Sequence, residues 1–109
     1  MTTQDFKVGD ILMGMWHCTM HYPLYFQVIG TTPQKVRVQE IKKHMTRSTD
    51  GGYFQQGYEE PVVPYQPERG ESPKLGTIDG EWLRIPIGCG SHVYAEKWDG
   101  QPVWADHMD

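Results

Sequence analysis

The sequence has few cysteines, no long apolar run and no secretory signal pattern. It carries two cysteines in 109 residues, too few for a disulfide scaffold. The longest apolar run, residues 11–16, is far shorter than the ~20 residues of a membrane-spanning helix. Residues 1–10 lack the basic and then apolar pattern of a secretory signal. We therefore expect a cytoplasmic protein with reduced thiols and no membrane partner.

Helical periodicity is also scarce, whereas turn residues are abundant. Twelve glycines and eight prolines separate short runs rich in Val, Ile, Tyr, Phe and Trp, which is the pattern of strands. An aromatic content of 12% argues against a disordered chain, and this length suits one domain with one core. The predicted fold class is all-β, a small antiparallel SH3-like barrel that forms a single domain over residues 1–109.

Seven segments carry the strand pattern. They are residues 11–16, 24–31, 35–41, 74–78, 82–87, 92–98 and 101–105. In the third segment Val36 and Val38 are predicted to point inward. Ile41 is out of phase with them, so we expect a bulge or the end of the strand near Glu40.

Two Asp-Gly pairs lie between apolar runs, which is typical of tight hairpin turns. Asp79-Gly80 is predicted to join the fourth segment to the fifth, and Asp99-Gly100 to join the sixth to the seventh. Both pairs favour an antiparallel arrangement of their neighbouring strands.

Residues 44–73 are predicted to form a long irregular loop, which is unusual in a small domain. Its aromatic side chains would either tether it to the barrel, with one more short strand at Pro61–Tyr65 as a variant, or make it a binding loop. The candidate protein-binding residues are Tyr53, Phe54, Tyr58 and Tyr65.

Charge is unevenly distributed in this acidic chain of net charge −4. An acidic protein is repelled by bulk DNA, so any nucleic-acid contact would use the basic segment between residues 35 and 47. That segment is either a solvated strand edge protected against pairing or a nucleic-acid-binding face. Its cations are Lys35, Arg37, Lys42, Lys43 and Arg47.

Two Cys-x-x-His units suggest a metal as a further alternative. Cys18 with His21, and Cys89 with His92, would supply the two thiolates and two imidazoles of a tetrahedral zinc site. The competing interpretation is two buried thiols and two surface histidines. A disulfide between the cysteines is disfavoured in the cytosol.

Catalytic signatures are missing. Neither cysteine lies in a recognised nucleophile motif, and there is no glycine-rich phosphate loop before a helix. Glu59 and Glu60 precede Pro61 in the predicted loop, where we expect both carboxylates to be solvated. The expectation is a protein that is not an enzyme and needs no cofactor.

Both ends of the chain resemble a family of uncharacterised small proteins from phages and mobile elements of bacteria. The resemblance lies in Val8-Gly9-Asp10-Ile11-Leu12, Trp16, Tyr25-Phe26-Gln27-Val28, Val36-Arg37-Val38, Tyr94-Ala95 and Trp98-Asp99-Gly100-Gln101-Pro102. It implies a genomic context and no particular reaction. The chain departs from the family pattern at His17-Cys18-Thr19-Met20-His21, where the family is polar and lacks His and Cys.

Protein binding is the function that these features favour. Tyr, Trp and Arg carry much of the energy of interfaces, and an acidic half would suit a basic partner surface. The sequence therefore predicts an accessory protein that binds a host protein, of which an anti-CRISPR-like inhibitor of a defence system is one version.

Overall fold

Nine β-strands make up nearly all the regular structure in the part of the chain that the structure describes. In this computed structural model the described residues are 2–17, 21–53, 55–88 and 90–107. Within those ranges the strands are Ile11–His17 (β1), His21–Thr31 (β2), Lys35–Ile41 (β3), Lys43–Ser48 (β4), Gln56–Pro61 (β5), Lys74–Asp79 (β6), Trp82–Gly88 (β7), Ser91–Lys97 (β8) and Val103–Asp106 (β9). A 3₁₀ turn also forms at Thr3–Asp5. None of the described residues form a helix with the length and apolar character needed to cross a membrane.

Six of the strands close into an antiparallel barrel. Around the barrel the order is β1, β8, β7, β6, β3 and β2, and the pairing of β1 with β2 closes the ring. The predicted small all-β barrel is therefore confirmed. Closure leaves these six strands without a long free edge that would pair with another chain.

Alternate residues of the strands fill the barrel interior. Val36 and Val38 of β3 are fully buried, as predicted, because successive side chains of a strand point to opposite faces. At Gly76 the wall approaches the core so closely that a Cβ atom would lie 2.7 Å from the Leu83 side chain. The interior cluster is Phe6, Leu12, Leu24, Phe26, Val28, Val36, Val38, Leu83, Ile85, Val93 and Ala95.

The hairpin predicted at Asp79-Gly80 is confirmed. Asp79 pairs with Trp82, so the two-residue loop consists of Gly80 and Glu81. Gly80 has φ 62° at the first central position, a positive φ that both hairpin turn types I′ and II′ require there and that glycine adopts without strain.

The hairpin predicted at Asp99-Gly100 is wrong. Both edges of β8 are already paired, one with β1 and the other with β7, so no edge remains for β9. The chain still turns there, because Asp99 Oδ1 accepts a hydrogen bond from the Gln101 N–H at 2.9 Å. That turn leads the chain off the barrel and towards β5.

Three strands, β4, β5 and β9, form what we call the wing. At its first residue, His21, β2 pairs with Asp106 of β9. β9 pairs in turn with β5, and β5 with β4. Within the described residues β4 has β5 as its single paired neighbour, so the wing projects from the barrel as a sheet extension.

The irregular loop predicted at residues 44–73 is wrong over its first half. β4 and β5 form a hairpin there, and the short strand considered at Pro61–Tyr65 lies instead at Gln56–Pro61. The buried positions of β5 are Gly57, Glu59 and Pro61. Since none of these is a large apolar residue, the strand has no visible hydrophobic alternation.

The second half of that region, residues 62–73, forms no strand. It crosses the end of β3, where Ile41 forms a bridge with Pro67 and the Glu68 N–H donates to the Glu40 carbonyl at 2.8 Å. Backbone hydrogen bonds therefore tether this segment to the barrel.

A second, smaller buried layer lies between the barrel and the wing. Tyr25 of β2 and Ile41 of β3 are paired across the ladder and are both buried, on the strand faces that point away from the barrel interior. This layer explains why Ile41 is apolar although it lies on the opposite strand face from Val36 and Val38. Ile41 is also the last residue of β3, as expected. The bulge itself lies in β2, between Val28 and Gly30.

Candidate functional site

The outer side of β6, β7 and β8 carries a row of recognition-type side chains. Arg84 of β7 lies opposite Thr77 of β6 and opposite Tyr94 of β8. Trp82 lies two residues before Arg84 and therefore on the same face. The inward positions beside them are taken by Leu83 and its neighbours, so strand alternation forces these polar and aromatic groups outward.

Two large aromatic side chains on this face are exposed. Trp82 is 44% exposed and Tyr94 43% exposed, and Arg84 is exposed as well. Trp, Tyr and Arg are the residues most enriched among those that dominate binding energy. Exposed together on neighbouring strands, they form a patch of the kind that marks interaction sites.

Carboxylates lie around this patch. Asp79 is the cross-strand partner of Trp82, Glu81 precedes Trp82 in the turn, and Glu96 follows Tyr94 by two residues on the same face of β8. All three are exposed. Arg84 is the one cation among these residues, so the three carboxylates give the patch a net negative charge. We call this surface the β6–β8 face; it comprises Asp79, Glu81, Trp82, Arg84, His92, Tyr94 and Glu96.

A shallow groove continues the β6–β8 face onto β1. It is lined by Met15, Trp16, His92 and Tyr94, together with Ser91 and Val93. The His92 and Tyr94 rings meet edge to face, with their centroids 5.3 Å apart. Met and Trp beside the aromatic pair extend a surface of the composition found at protein interfaces.

A second cluster of functional groups lies under the wing. Glu59 of β5 is 4% exposed, and one of its carboxylate oxygens contacts the ring nitrogen Nε2 of His107. Its other oxygen lies 3.4 Å from Nζ of Lys43. The same Nζ sits 3.4 Å from the centroid of the Tyr22 ring. We call Lys43, Glu59, His107 and Tyr22 the junction cluster.

The junction cluster links the wing to the barrel. The Tyr25 hydroxyl donates to the Glu59 carbonyl at 2.9 Å, and the Lys43 ammonium donates to the Pro23 carbonyl of β2. The Tyr22 and His107 rings meet edge to face at 4.6 Å. Among the described residues, His21 with Asp106 is the single ladder pair between barrel and wing, and the contacts of the junction cluster add to it.

Burial dominates the electrostatics of this cluster. It lowers the pKa of Lys43, an effect that the nearby Glu59 opposes. Burial and the neighbouring Glu59 both raise the pKa of Tyr22 and of Tyr25. A buried charge must be paired to be tolerated, so we interpret the cluster as a structural ion network.

The five predicted nucleic-acid contacts do not share one face. Lys35 is half-buried and donates to Thr77 Oγ1 at 2.8 Å, while Arg37 is exposed on the outside of β3. Lys42 is half-buried. Arg47 is exposed, and its guanidinium carbon lies 4.5 Å from the centroid of the Tyr58 ring.

Lys43 departs most from that expectation. It was expected to extend an outward basic stripe, yet its side chain is 12% exposed and points into the junction cluster. A lysine two residues after a buried Ile41 lies on the same side of the sheet, which is the physical reason. Nucleic-acid binding stays a prediction for the four cations that remain.

The predicted protein-binding aromatics are scattered. Tyr53 is 80% exposed and Tyr65 40% exposed, and Tyr65 lines a groove with Trp98. Tyr58 is half-buried on the outer side of the wing, edge to face with Trp104 at 5.7 Å. Phe54 lies outside the described residues.

The predicted zinc ligands are only partly described. Cys18 and Cys89 lie outside the described residues, whereas His21 of β2 and His92 of β8 are exposed. In the described part of the chain no three His, Cys, Asp or Glu residues are grouped so as to hold a metal ion. The zinc site stays a prediction.

Sequence reasoning missed two features. Trp82 and Tyr94 follow from simple alternation, because Leu83 and Val93 beside them are inward-facing. Glu59 was expected to be solvated, which is wrong. Its neighbour Glu60 is the more exposed of the two and lies 3.7 Å from His44, so alternation along β5 separates the two carboxylates.

Comparison of the chain with protein-family models, with curated proteins and with solved structures finds no match.

Proposed function

We propose that this chain is a non-enzymatic binding domain that docks onto a partner protein through the β6–β8 face. The observation that carries the proposal is the exposure of Trp82, Arg84 and Tyr94 side by side on the rigid barrel wall. A closed barrel holds such side chains in place, so little ordering entropy is lost on binding.

Charge indicates the kind of partner surface. Asp79, Glu81 and Glu96 lie around the aromatic side chains, and the whole chain carries a net charge of −4. Complementary potentials steer encounter and suppress wrong partners. The proposed partner therefore presents a basic patch with an apolar centre.

The biological setting is proposed from the sequence resemblance. A phage or mobile-element accessory protein would act in the cytoplasm of its bacterial host and bind a host protein. An inhibitor of a bacterial defence complex, as anti-CRISPR proteins are, is one version. The acidic rim of the β6–β8 face supports it, because carboxylates would occupy a basic surface that otherwise receives nucleic acid.

A pull-down from bacterial host lysate tests the proposal. The baits are the unaltered protein, a Trp82→Ala/Tyr94→Ala double variant, and a Tyr53→Ala/Val63→Ser control. Tyr53 and Val63 are 80% and 76% exposed and lie outside the β6–β8 face. We expect the same host protein with the unaltered and control baits, and its loss with the double variant.

The opposite pattern of captured host protein would place the binding site elsewhere on the chain. Retention by Trp82→Ala/Tyr94→Ala together with loss by Tyr53→Ala/Val63→Ser would place binding on the turn between β4 and β5 or on the segment after β5, and would overturn the proposal. Recovery of nucleic acid, abolished by Arg37→Glu with Lys42→Glu and by high salt, would favour the basic segment instead.

Metal binding is a second candidate, and strand order favours it. β1 pairs with β2 and also with β8, so the two described candidate ligands, His21 and His92, lie at the same end of the barrel. Cys18 and Cys89 lie outside the described residues. Metal analysis of protein purified with zinc tests this candidate: about one zinc per chain supports it, and its absence removes it.

A further inference from the structure

Three Asp-Gly pairs occur in the chain, at residues 50–51, 79–80 and 99–100, and there is no asparagine. Asp-Gly is the pair in which the backbone nitrogen of the glycine most readily attacks the preceding carboxyl group, because glycine has no Cβ to obstruct the attack. Without asparagine, any isoaspartate that this chain forms must arise from aspartate.

The structure separates the three sites by what holds each carboxylate. Asp50 Oδ2 accepts hydrogen bonds from the backbone N–H groups of Gln55 at 2.9 Å and Gln56 at 3.2 Å. Asp99 Oδ1 accepts one from the Gln101 N–H at 2.9 Å. Both carboxylates are thus held by later residues of their own turns.

Asp79 differs from both. Its side chain is exposed and accepts no hydrogen bond from the described residues. A Cβ atom built on Gly80 would meet nothing within 4 Å, which is also true at Gly100, so the hydrogen bonding of the carboxylate is what separates these two sites.

We propose that Asp79-Gly80 is a site of spontaneous isoaspartate formation, selected among the three Asp-Gly pairs by its unrestrained carboxyl group. The Gly80 nitrogen forms a bond to Cγ of Asp79, and the carboxyl hydroxyl leaves with the amide proton as water. The product is a five-membered succinimide. Water then opens either carbonyl, which restores aspartate or yields isoaspartate, with no net change in mass.

The modification would act on the β6–β8 face. Isoaspartate adds one carbon to the backbone beside the two-residue loop, at the position that pairs with Trp82. The extra carbon alters the register at the tip of the hairpin and re-aims the Trp82 indole. The site does not depend on the proposed function, because its chemistry needs no partner.

Peptide mapping of aged protein tests the inference. The folded protein is incubated at pH 5 and at pH 8, digested with trypsin and separated by liquid chromatography with mass detection. Asp50, Asp79 and Asp99 fall in separate peptides, residues 48–69, 75–84 and 98–109. We expect a second chromatographic peak of unchanged mass to form several-fold faster in peptide 75–84 than in the other two peptides. It should form faster at pH 5, where the carboxyl group is more often protonated.

Two controls keep the outcome interpretable. In urea, where the three turns are lost, all three peptides should form isoaspartate at similar rates. Asp79→Glu should abolish the extra peak in peptide 75–84, because the longer side chain cannot close the five-membered ring. Equal rates in the folded protein, or a faster rate at Asp50 or Asp99, would overturn the inference.

Discussion

Side chains on the two faces of strand β2 are buried in different surroundings. Leu24, Phe26 and Val28 point into a buried cluster of apolar side chains. Tyr25 points the other way, to a layer where Lys43, Glu59 and His107 meet. The first interior is stabilised by area removed from water, and the second by the mutual compensation of buried charges.

This difference also explains the barrel's outer surface. On the outer side of β2 and β3 the wing contacts Tyr25 and residues 62–73 contact Ile41, and both side chains are buried. On the other side, the β6–β8 face carries Trp82 and Tyr94 exposed. The outer side of β2 and β3 is thus partly covered by this chain, and the β6–β8 face is the surface that we propose a partner covers.

The largest effect is expected in the barrel interior. Leu83→Ala removes a fully buried side chain and should lower the free energy of unfolding by about 4 kcal/mol, since a cavity remains. Urea denaturation measures it. Trp82→Ala, one residue along and outward-facing, is the matched control and should cost about 1 kcal/mol or less. Similar costs for both would contradict the assignment of faces.

The junction cluster should follow closely. Glu59→Ala leaves the Lys43 ammonium buried without its carboxylate, which should cost about 3 kcal/mol of unfolding free energy. The matched control is Glu60→Ala, whose pair with His44 is partly exposed and should be worth about 0.5 kcal/mol. If Glu59→Ala is as mild as Glu60→Ala in chemical denaturation, the buried ion network is incorrect.

An apolar replacement of the ion pair sharpens the contrast. Lys43→Met with Glu59→Leu removes both charges at once, so the double variant should be about 2 kcal/mol more stable than Glu59→Ala alone. The two unfolding curves are compared at one pH. A double variant no more stable than Glu59→Ala would contradict the mutual compensation of the two charges.

The smallest expected effect depends on pH. Burial, then the Glu71 carboxylate, raises the pKa of Glu40 from 4.5 to about 7. The folded state therefore binds more protons than the unfolded chain between these values, and stability contributed by neutral Glu40 is lost as the pH rises through about 7. Because Glu40 is only partly buried, the loss should be about 1 kcal/mol.

Glu40→Gln cannot ionise and should remove that loss. Relative to the unaltered protein, the variant should gain stability between pH 5 and pH 8, as followed by denaturation at each pH. Glu60→Gln serves as the control. A parallel pH dependence of Glu40→Gln and the unaltered protein would exclude Glu40 as the titrating group.

The sequence predicts the barrel better than the wing. Runs such as residues 35–41 and 82–87 alternate large apolar residues with polar ones, so strand positions and inward faces follow from periodicity alone. In β5 the inward positions are Gly57, Glu59 and Pro61, which carry no such signal. The local sequence pattern also does not determine which strands pair. For example, β8 has no free edge for β9, because β1 and β7 already pair with it.

The candidate site divides in the same way. The outward placement of Trp82, Arg84 and Tyr94 follows from strand alternation once the barrel is known. The β6–β8 face could therefore be predicted from the sequence. The junction cluster could not, because Lys43, Glu59 and His107 come from three separate segments. Their contact depends on the order β2, β9, β5, β4 in the folded sheet.

The central claim is that the β6–β8 face is the binding surface. The most direct measurement is the dissociation constant of the purified partner for the unaltered protein and for Trp82→Ala/Tyr94→Ala, with unfolding curves confirming that both are folded. The account predicts binding at least about 30-fold weaker for the variant. Equal dissociation constants for the two folded proteins would contradict it.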